Sequence, residues 1–514
     1  MNLLRASATI GAFTLGSRVT GFARDILIAA ILGTGMVADA FFIAFKLPNL
    51  FRRLFAEGAF SAGFVPLFSN LLEKEGLAST KQFTEEALAV LALVLLALLA
   101  VFELIMPWLM LGLAPGFASD PPKFDLAVEL TRITFPYLVC ISLVSLMGGV
   151  LNSLGKFAAQ AAAPVLLNLT LIGVLLIFRD ELAANGHALA WGVFAAGLLQ
   201  LTGMTIACWR AGFRLRLRRP RLSPRVRELG RLMLPAVVGS GAAQVNIAVD
   251  IIIASLLPTG AVSYLFFADR LVQLPLGVVG VAVGTALLPL LSRQVGAGDD
   301  KGAQHSINRA TELVLLLTVP AAVALAVTAT PIVQVLFERG AFTPEATRAT
   351  AGAVVAFSLG LPAYVLIKVL SPPFFARKDT RTPVVIAVCT LALNIVLNLA
   401  LMGPLQHVGL ALATAISAWV NAGALAWVLR RRGQLVLDAQ LRRSALRGAV
   451  AVVAMGAALA IAHRGFEPFF AGSTLEQALA LACLVAAGAA VYGLGLQLLG
   501  VARLADLKRL ARGR

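Results

Sequence analysis

Between residues 7 and 500 the chain is a succession of long apolar runs, and that pattern limits its fold more than any motif does. Fourteen runs fall at about 7–32, 37–70, 84–112, 128–152, 159–178, 187–209, 230–256, 262–292, 310–336, 348–375, 382–402, 406–429, 445–463 and 475–500. A helix needs about 20 apolar residues to cross the hydrocarbon core of a bilayer. In lipid, a helix satisfies its backbone groups internally, which no open sheet can do. Charged residues make up 13% of the chain, against about 25% in soluble domains. The pattern predicts an all-α polytopic membrane protein of about fourteen transmembrane helices. No A-x-A-like cleavage site follows a short apolar core at the start, so the first run is expected to remain as a span.

The gaps between runs alternate in charge. Every second gap is basic, and the sixth alone holds nine arginines between Arg210 and Arg231. The intervening gaps, among them GTGMV, PTGA and GPLQH, are poor in Lys and Arg. Loops rich in Lys and Arg stay cytoplasmic, which predicts cytoplasmic termini. The net charge of +17 therefore reads as topology and contact with anionic lipids, and nucleic acid is not an expected partner.

An internal repeat divides the runs. FVPLFS (Phe64–Ser69) closes the second run and LLPLLS (Leu287–Ser292) the eighth, an offset of 223 that carries Ala40 to Ser263 and Lys46 to Asp269. An offset of six spans preserves orientation, so the halves are parallel repeats. Two six-helix lobes are expected at 1–215 and 216–435, with two extra helices and a basic tail at 436–514.

The most informative stretch is Ser17–Glu57. It is apolar enough for a bilayer, yet it holds Arg18, Arg24, Asp25, Asp39, Lys46, Arg52, Arg53 and Glu57. Charges within spans are expensive and mark substrate paths. At 100° per residue, Asp39, Lys46, Arg53 and Glu57 fall within about 40° of one another, and Arg18 shares a face with Asp25 while Arg24 does not. Positive charges outnumber negative by two, and Arg270 beside Asp269 adds another in the second half. Internal pairs such as Arg53–Glu57 would account for some of these charges, but not for the surplus. A cavity with surplus guanidinium suits an anion, and Arg binds phosphate bidentately.

A second cluster is a candidate cation site. Asp250 stands in NIAVDIIIASLL, Asn394 and Asn398 sit at i, i+4, and Thr414 adds a hydroxyl. One carboxylate with amide and hydroxyl oxygens suits sodium; the alternative is a buried hydrogen-bonded Asp with Asn joining helices. The four cysteines contain no CxxC and the four histidines no HExxH, so metal enzymology has no support. GVVGVAVG (Gly277–Gly284) lacks the Lys-Ser/Thr of a phosphate-binding loop and reads as close helix packing.

SRVTGFARD followed by ADAFFIAFKLPNLFRRLFAEGAFSAGFVPLFS strongly resembles the MurJ (MviN) family of lipid II flippases, within the multidrug/oligosaccharidyl-lipid/polysaccharide exporter superfamily. The N-terminal stretch is specific; the rest matches in layout. The resemblance implies a flippase and no enzyme, moving undecaprenyl-diphosphate-linked disaccharide-pentapeptide from the cytoplasmic to the periplasmic leaflet of the bacterial inner membrane. It implies two lobes around a cationic cavity, with spans 13 and 14 forming a groove for the lipid tail. The family's essential arginines match Arg18, Arg24, Arg52 and Arg270, with Asp39, Lys46 and Arg53 nearby. It further implies no bound cofactor, alternating access driven by sodium or membrane potential, and the cell-wall synthesis and division machinery as partners. An exporter of another polyprenyl-linked oligosaccharide, or of drugs, is the rival; amphipathic cations would be repelled by surplus arginine.

Overall fold

The computed structural model describes residues 3–53 and 60–501, and among them every regular element is a helix. Nine helical stretches among the described residues are long and apolar enough to cross a membrane. The chain divides into two compact units, 1–263 with 339–342, and 264–338 with 343–514.

The first unit contains α1 (Leu3–Leu32), α2 (Met36–Phe51), α3 (Ser61–Leu104), α4 (Met106–Leu113), α5 (Pro121–Thr134), α6 (Tyr137–Ser153), α7 (Ala158–Ile177), α8 (Arg179–Asn185), α9 (His187–Arg210) and α10 (Pro224–Ser255). The second run, expected as one span, is divided: α2 ends at Phe51 with Pro48 in its last turns, and Arg52 and Arg53 continue in a wider π turn. The polar gap expected after residue 70 is itself helical. Its residues are good helix formers and bond within the helix, as Ser79 does to Glu75, so α3 runs on with a single kink at Gly76, whose φ of 77° is left-handed. Phenylalanines fill the centre: Phe64 stacks on Phe60 and on Phe83. The α10 helix belongs to this unit because it lies close against α3, where Gly63 leaves room for Leu229, Leu232 and Met233.

The second unit contains most of α11 (Ala261–Gly296), then α12 (Asp300–Val327), α13 (Ala329–Phe337), α14 (Pro344–Leu370), α15 (Pro372–Ala376), α16 (Arg381–Arg431), α17 (Ala439–Phe470) and α18 (Thr474–Leu498). Two expected spans run together in α16, which bends where Gln406 takes φ 48°. Its core joins Leu287 and Leu291 of α11 to Ile307, Val365, Val369, Leu425 and Leu429. The final two helices pack on α12 through small residues: Gly448 meets Leu316, Gly456 meets Val323, and the Tyr492 hydroxyl donates to the Leu316 carbonyl at 2.7 Å. Val453 and Ile461 stay over 70% exposed, which suits a surface solvated by lipid.

Ion pairs hold the polar connections. Asp379 accepts from the Thr382 hydroxyl and backbone and from Arg432; those bonds hold its carboxyl well below the usual carboxylate range.

Candidate functional site

The buried charges of the described part of Ser17–Glu57 lie in two centres. The first is built on Asp39, in the first turn of α2 and wholly buried. It accepts from Lys123 Nζ at 2.9 Å, from the backbone N–H groups of Gly260 and Ser263 at 2.8 and 3.0 Å, and from the Ser263 hydroxyl at 2.6 Å. Pro121 and Pro122 start α5 and set Lys123 in its first turn; its ammonium also donates to Thr259 and lies 4.1 Å from the Phe117 ring centre. Every partner a buried carboxylate needs is supplied. Beside it, residues 339–342 are clamped onto the end of α1. The Ala341 N–H donates to the Ala30 carbonyl at 2.8 Å. Gly33 and Gly340 take φ 63° and 60°, and a Cβ on Gly340 would lie 2.2 Å from the Ala30 oxygen, so both positions require glycine.

The second centre is Arg24 on α1, only 6% exposed. Its Nε and Nη2 both donate to Asp25 Oδ1, at 3.0 and 2.6 Å, and Nη1 donates to Asn168 Oδ1 of α7 at 2.9 Å. Asn168 Nδ2 returns a bond to the Ser17 carbonyl at 2.9 Å, and Gly21 makes room for the amide. A guanidinium has five N–H donors, so two remain after these three bonds. Arg24 also lies 5.8 Å from the Phe45 ring centre. From the same row of α2, Asn49 donates to the Phe45 carbonyl at 2.8 Å, and Arg52 Nε donates to Asn49 at 3.2 Å. Arg24 and Arg52 therefore meet one face of α2.

Within the helical-wheel stripe, Asp39 is bonded to Lys123, a partner 84 positions away that a wheel cannot show. Glu57 lies outside the described residues. Arg24 and Asp25, placed on different faces by the wheel, are bonded because a long Arg side chain folds back on its neighbour. With Asp39 engaged by Lys123, the formal positive surplus of Ser17–Glu57 rises from two to three. Arg18 and Arg53 are exposed and Lys46 is half-buried.

In the second unit, Arg270 of α11 lies 4.7 Å from the Phe266 ring centre. Of the candidate cation residues, Asp250 belongs to the first unit and Asn394, Asn398 and Thr414 to the second. Asp250, on α10, faces Asn246 at 3.4 Å. Asn398 Nδ2 donates to Asn394 at 3.0 Å, and the Thr414 hydroxyl donates to the Leu410 carbonyl at 3.0 Å. Sequence reasoning missed three residues. Lys123 is a lone lysine in an otherwise uncharged or acidic gap. Asn168 is an amide at the middle of an apolar run. Lys368 is a cation in the last turn of α14, and its Nζ lies 3.1 Å from where a Cβ on Gly280 would be, so the glycine run also makes space for a lysine.

The fold defines an all-helical protein with several helices long and apolar enough to cross a membrane, and with Arg24 buried among them. The chain is similar over 81% of its length to a multidrug resistance transporter in an inward-facing conformation, with TM-score 0.65 and 15% identity, a likeness of fold alone. A solved structure described as the lipid II flippase MurJ, inward closed conformation, matches 95% of this chain and 98% of its own at TM-score 0.77 and 25% identity.

The family model for the lipid II flippase MurJ matches residues 28–479, and the chain belongs to that family. A probable lipid II flippase MurJ of Rhizobium meliloti is 47% identical over 96% of this chain and 93% of its own. A lipid II flippase MurJ of Burkholderia cenocepacia is 39% identical over 84% and 85%.

Proposed function

We infer that this protein is a lipid II flippase, carrying the lipid-linked precursor of peptidoglycan across the membrane. The observation that carries the reading is the family match over nearly the whole chain. Finer points are proposals: the bacterial inner membrane, cytoplasmic termini, and movement of undecaprenyl-diphosphate-disaccharide-pentapeptide from the cytoplasmic to the periplasmic leaflet. The alternation of Arg-rich gaps supports that orientation.

In this reading a diphosphate brought among the spans loses hydration, and fixed positive charge replaces it. Arg24 is supplied for the task. Three of its donors hold it in place on Asp25 and Asn168, and the other two are left in number for phosphate oxygens. Arg52 approaches the same face of α2, and Arg18, Lys46 and Arg53 add positive potential. The Asp39–Lys123–Ser263 cluster acts as a latch: it is fully bonded when Asp39 meets Gly260 and Ser263, and its release would open that end. Alternation between closed and open forms is then a shift between two states that the substrate weights differently. Sodium at Asp250, Asn394, Asn398 and Thr414, or the membrane potential, is the proposed energy source.

The test is reconstitution of the purified protein into liposomes carrying a labelled lipid-linked precursor, with leaflet followed by quenching. Protein-dependent translocation of the precursor, and none of an amphipathic cationic drug, is expected. Drug transport without precursor transport would favour the rival exporter.

A further inference from the structure

The first unit has a cavity of about 470 Å³ away from Arg24 and Asp39, where α1, the α6–α7 turn and the end of α9 meet. Its walls are apolar, from Leu151, Phe157, Ile206 and short alanines, and the charges it presents are both positive: Lys156 and Arg210. That volume is in the range of small-molecule sites.

Three further observations give the cavity a chemical preference. Helix α7 begins at its edge with Ala158, and Phe157 supplies no side-chain cap, so the positive end of a 20-residue helix lies at the cavity's edge. Both basic side chains are exposed and lie in Arg- and Lys-bearing connections. Trp209, 56% exposed, stands beside Arg210 and lies 5.2 Å from the Arg214 guanidinium, as aromatic residues do at the headgroup level. Below it, Leu199 and Ile206 are over 40% exposed on α9, a lipid-facing surface continuous with the cavity wall. A positive rim at headgroup depth over an apolar recess fits an amphiphile with an anionic head.

We propose that this cavity binds an anionic phospholipid of the surrounding leaflet, its phosphodiester held by Lys156, Arg210 and the α7 N-terminus and its acyl chain in the apolar recess. The site is separate from the arginines assigned to the substrate and does not rest on the flippase reading. Its expected role is to hold α1, α6, α7 and α9 together from the membrane side.

The full-length protein, purified in detergent and titrated with phosphatidylglycerol, phosphatidylcholine or glycerol 3-phosphate, tests this by native mass spectrometry. Phosphatidylglycerol is expected to bind in preference to phosphatidylcholine, and glycerol 3-phosphate not to bind, since it lacks the chain. The variant K156Q/R210Q should weaken phosphatidylglycerol about thirtyfold, from a loss of roughly tenfold or less per basic residue near a membrane surface. K156R/R210K should retain it. Both positions are exposed, and an unchanged melting temperature without lipid checks folding; should K156Q/R210Q fail to fold, Gly203→Leu, which narrows the recess, takes its place with the same expected loss. Equal binding by wild type and K156Q/R210Q, equal binding of the two phospholipids, or tight binding of glycerol 3-phosphate would overturn the proposal. Displacement of phosphatidylglycerol from this site by stoichiometric lipid-linked precursor would assign the cavity to substrate and overturn it as well.

Discussion

Replacing Lys123 by Met removes the cationic side chain that, among the described residues, is bonded to Asp39, and keeps the length of an apolar chain. At 2.9 Å and an effective dielectric of ~20, the attraction is on the order of 6 kcal/mol before desolvation. Removing one partner of a buried pair costs about 3–5 kcal/mol because the other charge is stranded. Asp39 keeps bonds from Gly260 and Ser263, so the low end applies, about 3 kcal/mol. If the closed form carries that loss, its weight against the open form falls about a hundredfold. The readout is a cysteine at Val262, 3% exposed, in a background lacking Cys140, Cys208, Cys389 and Cys483, labelled by a membrane-impermeant maleimide. Lys123→Met should raise the labelling rate by one to two orders of magnitude. Asp39→Asn with Lys123→Met should return it most of the way, since a neutral amide leaves no stranded charge. Unchanged labelling in Lys123→Met, with an unchanged melting temperature, would refute the latch.

Three further outcomes are expected. Gly340→Ala, which combines positive φ with a Cβ 2.2 Å from the Ala30 oxygen, should cost at least about 1–2 kcal/mol and lower the melting temperature, while Gly284→Ala, with open space around it, should not; equal effects would contradict the clamp. Reporters fused after Leu222 or Arg442 should read cytoplasmic, and after Ala118 or Ala471 periplasmic, from the Arg alternation; a periplasmic reading after Leu222 would break that orientation. If sodium drives transport at Asp250, Asp250→Ala should remove the sodium dependence of flipping and spare precursor binding; a wild-type rate indifferent to sodium would remove the cation site.

The helical class was legible because apolar length needs no tertiary information: among the described residues the runs lie almost wholly on helix. Boundaries were less legible, because polar residues do not end a helix when they are themselves helix formers. The Glu-Lys-rich gap is helical up to and past Gly76, and GPLQH only bends α16 at Gln406. The charged residues were legible as residues but not as partners. Buried charge in an apolar run pointed to Arg24 and Asp39, yet their bonds go to Asn168 and to Lys123, the latter 84 positions from Asp39. Periodicity orders side chains around one helix and says nothing of what packs against it. The repeat did carry a trace of the latch, since its offset takes Ala40 to Ser263, one position from the carboxylate that Ser263 bonds.

The central claim, that Arg24 recognises phosphate while Asp25 and Asn168 hold it in place, is tested most directly by precursor flipping in liposomes with Arg24→Ala, Arg24→Lys and Arg24→Ala/Asp25→Asn at matched protein. The account predicts no flipping by Arg24→Ala, partial flipping by Arg24→Lys, whose point charge lacks the planar fork, and no rescue when Asp25 is neutralised as well. Full activity of Arg24→Ala, or rescue by the paired change, would make Arg24 a structural ion-pair member and contradict it.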